Sequence, residues 1–243
     1  MQMIWRRDLI RFTRDRAQIL GAIARPILWL LIMGYGLGTT VPRVGATPYP
    51  EFIFPGVIAL NLIFASFLSA ISIIWDREFG FLKAILVAPI SRLSIAVGKA
   101  VSGSTVALLH GLVVLAFTPL IQVHLTVGQV ALALPVMALM AFASTALGIM
   151  IASRMTSFEG FGTIANFVIM PLFLLSGAVF PLAQAPAWLR GLARVNPFTY
   201  GVDLLRGIVS GVLHYPVWLD LAVLAGCAAL FLTAAVAAFK RMA

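Results

Sequence analysis

The residue types that carry out catalysis in enzymes are few in this sequence and lie far apart. His110, His124 and His214 are widely separated, and neither a G-x-S-x-G nor an H-E-x-x-H motif occurs. The single cysteine, Cys227, lies within an apolar run, so neither a disulfide framework nor a cluster of metal ligands is predicted. The sequence therefore predicts no catalytic, cofactor-binding or metal-binding residue, and it argues against an intramembrane enzyme.

The sequence also lacks a site for ATP. A phosphate-binding loop requires the pattern G-x-x-x-x-G-K-[ST]. Here Gly98 and Lys99 are followed by Ala100, and the first glycine of the motif is missing. If ATP drives this protein, a separate chain must bind the nucleotide and its magnesium ion.

Ion-coupled transport would require an ionisable group near the middle of the membrane to bind the coupling ion. The eight acidic residues all fall at the ends of apolar runs or between them, which predicts an interior without fixed charge. Arg25 is the one charge within a run, and its long side chain is predicted to extend to the nearby lipid headgroups. Such an interior favours an amphipathic substrate, and a small secondary carrier or channel remains the alternative to a transporter driven by ATP.

One segment between two apolar runs combines charges with large apolar side chains. Its candidate contact residues are Asp76, Arg77, Glu78, Phe79, Gly80, Phe81, Leu82, Lys83 and Pro89. Because proline cannot continue a helix, the segment predicts a short helix that ends before Pro89 and fits a groove of a soluble partner. A plain positively charged loop is the alternative interpretation.

The segment 180–216 is apolar but too interrupted by proline and charge to cross a membrane. Such a segment is tolerated at membrane depth where it packs against protein, which predicts a re-entrant hairpin that shapes the outer exit; an ordinary external loop is the alternative. Its candidate gate residues are Phe180, Pro181, Pro186, Trp188, Leu189, Asn196, Pro197, Tyr200 and Arg206. Asp203 and Arg206 are three positions apart on a predicted helix and are expected to be able to pair.

Long apolar runs must position these segments. The chain is 62% hydrophobic and 10% charged, whereas soluble domains carry roughly 25% charged residues. Six windows have the roughly 20 apolar residues that cross a bilayer, near 19–37, 52–75, 95–121, 129–152, 161–179 and 218–239. The sequence predicts an all-α integral membrane protein with six transmembrane helices in one transmembrane domain, residues 1–243.

The positive charges predict the orientation of this bundle rather than a nucleic-acid partner. With the N-terminus inside, twelve Lys and Arg residues lie in inner segments and four in outer ones, which places both termini in the cytoplasm. Residues 1–18 carry Trp5, Leu9 and Phe12 on one helical face and arginines on another. This pattern predicts an interfacial helix lying on the membrane, with a cytoplasmic cap as the alternative.

Three parts of the chain resemble the type-2 ABC exporter permeases, particularly the daunorubicin-resistance and nodulation-factor branch. They are the loop at 75–92, the Phe54-Pro55-Gly56 start of the second run, and a spaced pattern through Ile169, Ser176, Ala178, Pro186, Pro197, Tyr200 and Arg206. Ala84 departs from the family pattern, because relatives often have an acidic residue there.

The resemblance implies the permease subunit of an ATP-driven exporter in the bacterial inner membrane. The substrate would be amphipathic or hydrophobic, such as a drug, a lipid or a lipid-linked glycan. The resemblance further implies that two copies of the permease pair, and that each rests on one ABC-type ATPase subunit, which binds ATP and magnesium. The loop at 76–89 would then be the coupling helix.

Overall fold

A computed structural model describes residues 2–79, 91–121 and 123–240, and this part of the chain is almost entirely helical. The N-terminal elements are α1 (Gln2–Arg14), α2 (Arg16–Trp29), a π-helix (Leu30–Leu37), α3 (Gly38–Thr40), and the strands β1 (Arg43–Val44) and β2 (Thr47–Pro48). Asp15 separates α1 from α2, and its side chain caps α2 by accepting a hydrogen bond from the Gln18 amide at 3.1 Å. The two strands form an antiparallel pair in which Arg43 lies opposite Pro48.

The remaining helices form the bundle, and two short ones among them lie at one of its ends. They are α4 (Tyr49–Glu78), α5 (Arg92–Ala116), α6 (Val127–Ala152), α7 (Phe158–Leu174), α8 (Ala187–Val195), α9 (Pro197–Ser210) and α10 (Val217–Lys240). Single 3₁₀ turns occupy Thr118–Ile121 and Leu182–Gln184.

Helix α4 lies at the centre and packs against α5, α6 and α9. Its sequence is apolar on most faces, which is typical of a helix surrounded by other helices, and Phe54, Ile58 and Leu62 are fully buried. Glycines allow neighbouring helices to approach closely. Close packing of this kind is expected in a membrane, because the hydrophobic effect does not drive helices together in lipid. A Cβ atom on Gly148 of α6, for example, would lie 2.9 Å from the Cβ atom of Ala70.

In the part of the chain that the structure describes, five helical segments are long and apolar enough to cross a membrane: Gln18–Thr40, Tyr49–Glu78, Leu93–Ala116, Val127–Ala152 and Val217–Ala238. The prediction of an all-α membrane protein is confirmed. The predicted fifth span differs, because α7 ends at Leu174 and Gly177 then adopts the left-handed conformation at φ +73°. At 17 residues α7 is about 25 Å long, so the count of six spans stays a prediction.

The segment containing α7 nevertheless extends along the whole of α4. Before α7, the carbonyl of Met155 accepts a hydrogen bond at 2.8 Å from Arg77, near the C-terminus of α4. After α7, the carbonyl of Val179 accepts one at 3.4 Å from the hydroxyl of Tyr49, the first residue of α4. The chain between these contacts therefore passes from one end of the bundle to the other.

The predicted N-terminal helix is present as α1, and it packs on α5. Trp5 Nε1 donates a hydrogen bond to Thr105 Oγ1 at 3.1 Å, and the ring centroids of Phe12 and His110 are 5.3 Å apart. The apolar face of α1 thus contacts protein in part, and its position at a membrane surface stays a prediction.

Arg25 lies at a different place from the one expected. Its guanidinium carbon is 4.2 Å from the ring centroid of Phe64, near the middle of α4. A cation over an aromatic face is favourable, so the side chain packs against the bundle instead of extending to the nearest headgroups.

Candidate functional site

A buried ionic network lies where α4 ends, immediately before the predicted coupling segment. Asp76 is 8% exposed, and its carboxylate forms two ion pairs. Lys99 Nζ lies 2.6 Å from Oδ2, and a guanidinium nitrogen of Arg7 lies 3.3 Å from Oδ1. Lys99 Nζ also donates to Ser72 Oγ at 3.0 Å. A buried charge is tolerated when it is paired and hydrogen-bonded, and the network supplies both conditions.

Helix α1 joins this network through two adjacent residues. Arg7 pairs with Asp8 at 3.0 Å, and Ser102 Oγ of α5 donates to Asp8 Oδ2 at 2.9 Å. Burial lowers the pKa of Arg7, but the charges of Asp8 and Asp76 raise it more, so the net pKa lies above the ordinary arginine value. The network therefore links α1, α4 and α5 through charges.

The end of α4 is fixed on its other side by Arg77 and Trp75. Arg77 donates to the carbonyls of Ser153 and Met155, and the Arg11 guanidinium carbon lies 4.0 Å from the ring centroid of Trp75. The next apolar residue, Phe79, is 76% exposed, and Glu78 is also exposed. Both are therefore available to a partner.

Part of the predicted coupling segment lies outside the described residues, which resume at Ser91. The predicted contact residues affected are Gly80, Phe81, Leu82, Lys83 and Pro89. The role predicted for the segment thus depends on Asp76, Arg77, Glu78 and Phe79 in the described part.

A cavity of about 580 Å³ borders the network, between α1 and the helices α4, α5 and α6. Its lining includes the charged groups of Asp8, Asp15 and Lys99 together with apolar side chains such as Phe12 and Leu68. The expectation of an interior without fixed charge is wrong for this cavity, since tertiary packing brings charges from the ends of several helices together. Its volume is in the range that holds a drug-sized molecule, roughly 300–1,000 Å³.

At the opposite end of the bundle, the segment predicted as a hairpin forms two short helices joined at Asn196. Pro186 precedes α8 and Pro197 begins α9, positions where a missing N–H group is harmless. The Asn196 side chain accepts a hydrogen bond from the Phe198 amide at 3.0 Å and donates to the Leu172 carbonyl at 2.6 Å. This residue caps α9 and attaches the junction to α7.

Tyr200 and Arg206 attach α9 to α8 and to the turn after α7. The Tyr200 hydroxyl donates to the carbonyl of Arg194 at 2.7 Å. Arg206 is 6% exposed; it donates to the Gly177 carbonyl at 2.8 Å, and its guanidinium carbon is 4.2 Å from the ring centroid of Phe52. Burial lowers the pKa of Arg206 to about 10 against the opposing effect of Asp203, so the side chain remains charged near neutral pH.

The anticipated pair between Asp203 and Arg206 does not form. Asp203 Oδ2 instead accepts hydrogen bonds from the backbone amides of His214 and Tyr215, at 2.9 and 3.0 Å. Two backbone donors from the loop before α10 satisfy the carboxylate, while Arg206 bonds to the turn after α7. Both residues therefore tie separate parts of the chain to α9.

The remaining candidate gate residues differ in their exposure. Phe180, Pro181 and Leu189 are half-buried, whereas Trp188 is 67% exposed. Leu192 and Val195 lie on the same face of α8 as Trp188 and are exposed as well, so this helix presents an apolar face outward.

Two of the three motif regions that resemble one family, the start of α4 and the pattern from Ile169 to Arg206, meet at this end of the bundle. A Cβ atom on Gly56 would lie 2.6 Å from the Cβ of Ala178 and 2.9 Å from its carbonyl oxygen. Only glycine permits the start of α4 to approach the turn after α7 so closely. Arg206 completes the contact by bonding to Gly177, the neighbour of Ala178.

A helical bundle with several long apolar helices, a buried ionic network and a docked pair of short helices is the architecture of a polytopic membrane protein. The chain matches the family model described as ABC-2 type transporter over residues 1–209. It is 32% identical to nodulation protein J of Rhizobium leguminosarum bv. trifolii, covering 86% of this chain and 80% of that protein. It is 26% identical to the putative transport permease ycf38 of Cyanophora paradoxa, covering 84% of this chain and 72% of that protein. The chain belongs to the ABC-2 type transporter family.

Sequence reasoning missed two features of these sites. Lys99 and Arg7 entered only as positive charges that set the orientation, although both contact Asp76. His214 entered only as one of three widely separated histidines and Tyr215 was not considered, although the backbone amides of both donate to Asp203. In both cases the signal was an acidic residue, Asp76 or Asp203, that needs a partner once the helices pack.

Proposed function

We propose that this chain is the membrane subunit of an ATP-driven exporter in the bacterial inner membrane, working with a separate ABC-type ATPase that binds ATP and magnesium. Its substrate is amphipathic or hydrophobic: a drug, a lipid or a lipid-linked glycan. The observation that carries the proposal is the buried network at Asp76, because it connects the end of α4 to a wall of the large cavity.

A movement imposed on the segment after Phe79 reaches Asp76 through about one turn of helix. Asp76 is bonded to Lys99 on α5 and to Arg7 on α1, and Asp8 and Lys99 both line the cavity. Closure of the ATPase against this segment would therefore change the spacing of α1, α4 and α5 around a bound substrate. The mixed charged and apolar lining of the cavity suits an amphipathic molecule.

The proposal places both termini in the cytoplasm. The excess of Lys and Arg in the inner segments supports this orientation. The passage of the α7 segment along the whole of α4 supports six crossings, which return the C-terminus to the side of the N-terminus.

Purification of the tagged chain from its native membrane tests the proposal. We expect an ATPase with a phosphate-binding loop to co-purify, and we expect the reconstituted complex to hydrolyse ATP and to move an amphipathic probe. A complex in which the ATPase has lost its phosphate-binding lysine is the control and should bind but not transport. Recovery of the chain without any ATPase, or equal transport in the control complex, would contradict the proposal.

A further inference from the structure

A second cavity, of about 200 Å³, lies at the end of the bundle that carries α8. It is lined by α8, by the turn before it and by the loop between α9 and α10. Its polar lining consists of Arg190, Arg194, His214 and Tyr215, and Leu182 and Ala183 complete it. None of these lining residues is acidic, so the cavity presents positive charge.

Helix α8 places the two guanidinium groups side by side. Arg190 and Arg194 are four positions apart and therefore lie on one helical face, one turn from each other. Within residues 2–79, 91–121 and 123–240, neither takes part in an ion pair. Both charges are thus available to a ligand.

Asp203, an acidic residue bonded to the loop, does not itself line this cavity. Asp203 lies behind the loop, with a side chain only 5% exposed, and its Oδ2 atom accepts the backbone amides of His214 and Tyr215. Its Oδ1 atom is 3.9 Å from His214 Nδ1. Asp203 therefore holds in place the loop whose residues His214 and Tyr215 line the cavity together with the two arginines.

We propose that this cavity, the α8 pocket, binds the phosphate group of an anionic lipid. Paired arginines match the planar, bidentate geometry of phosphate oxygens better than other side chains do. The cavity is smaller than the roughly 300–1,000 Å³ typical of drug-sized ligands, and a headgroup is smaller than such a ligand.

A lipid is favoured over a free anion by the second face of the same helix. Trp188, Leu192 and Val195 are 67%, 49% and 82% exposed, and they form an apolar face separate from the arginines. A helix with this arrangement lies at the boundary between headgroups and acyl chains. The apolar face then contacts acyl chains while the arginines reach the phosphate of the same leaflet.

The pocket is tested by calorimetric titration of the full-length chain in a neutral detergent with dihexanoyl phosphatidylglycerol, a soluble anionic lipid. We expect the double variant Arg190→Gln/Arg194→Gln to bind about tenfold or more weakly, because two charge-assisted contacts are lost. The matched variant Arg43→Gln, an exposed arginine in β1, should bind as the original chain does. The charge-retaining variant Arg190→Lys/Arg194→Lys should fall between them, and it decides the question if the glutamine variant does not fold.

Four results would overturn the proposal: equal binding of dihexanoyl phosphatidylcholine, equal binding of inorganic phosphate, unchanged binding in both double variants, or equal weakening by Arg43→Gln. Equal phosphate binding would identify a site for soluble anions instead of a lipid. The titration needs neither ATP nor an ATPase, so its outcome is separate from that of the proposed export function.

Discussion

Asp76 is a buried carboxylate at the C-terminal end of α4 that is paired with two cations. Its carboxylate lies between Lys99, which is 5% exposed, and the half-exposed Arg7. The attraction within such a buried pair does little more than offset the loss of hydration, whereas the removal of one partner leaves an unpaired buried charge. Single and paired substitutions should therefore differ sharply.

We predict that Asp76→Asn lowers the free energy of unfolding by about 3–5 kcal/mol, because Lys99 then stays buried without its carboxylate. The double variant Asp76→Asn/Lys99→Met should recover most of this loss. Thermal unfolding of the purified chain in detergent measures both effects. Glu78→Gln, an exposed change of the same kind two residues away, is the matched control and should leave the unfolding temperature unchanged.

Phe79 is the last described residue before the proposed ATPase contact, and its side chain is 76% exposed. We predict that Phe79→Asp weakens binding of the ATPase and lowers its stimulated turnover, because a charge placed in an apolar contact loses hydration without gaining a partner. Co-purification and ATP hydrolysis provide the measurement. Val127→Asp, an 88% exposed apolar residue at the first position of α6, is the control and should leave both unchanged.

At the scale of elements, the arrangement of α8 and α9 decides how the segment 180–200 meets the membrane. Both helices are short, and they are attached by Asn196 to α7 and by Arg206 to the turn after it. The outward apolar face of α8 would be costly in water and favourable in lipid. The structure is thus compatible with the proposed re-entrant position, which labelling can test.

We predict that cysteines at Ala187 and Gly191 react slowly with a charged, membrane-impermeant thiol reagent, because lipid covers α8. A cysteine at Arg43, in the proposed first outer loop, should react quickly and serves as the control. All three variants carry Cys227→Ala, and the reaction is followed in intact cells. Rapid labelling along the whole of α8 would refute the re-entrant position.

We predict separately that Leu189→Asp reduces transport while assembly with the ATPase persists, because Leu189 is half-buried at the proposed exit. Transport of an amphipathic probe and co-purification of the ATPase are measured on the same membranes. Val127→Asp, an 88% exposed site at the start of α6, is the control and should leave transport unchanged. Normal transport by the Leu189 variant would exclude a role in the exit.

The contact between α4 and the turn after α7 depends on Gly56. We predict that Gly56→Ala lowers the unfolding temperature, because the added Cβ would lie 2.9 Å from the backbone oxygen of Ala178, which cannot move as a side chain does. Gly226→Ala in α10 is the matched control, since a Cβ there meets nothing within 4 Å. The control should gain up to about 1 kcal/mol from helix propensity. Equal effects of the two substitutions would contradict the packing argument.

At the scale of the whole molecule, we predict a symmetric homodimer, because one chain supplies one coupling segment and two ATPase subunits need two. Large apolar side chains are exposed on α2 and α7, including Leu28 at 55% and Phe167 at 79%. Single cysteines at these two positions, in a Cys227→Ala background, should trap dimers in native membranes. A cysteine at Leu230 on α10 is the comparison. Equal amounts of a second, different permease chain in the purified complex would show a heterodimer instead.

The sequence alone determined the helical membrane class, most helix positions and the family, because hydropathy and motif spacing are local properties of the chain. The span 129–152, for example, was predicted within two residues of α6. Partners could not be predicted in this way. Arg7 and Asp76 are 69 positions apart, and only packing of α1 beside α4 brings them together. Asp203 and Arg206 had the spacing to pair, but the folded chain offered each a backbone partner in better position. Spacing on one helix permits a contact, whereas the tertiary structure decides which of the competing partners lies within hydrogen-bond distance.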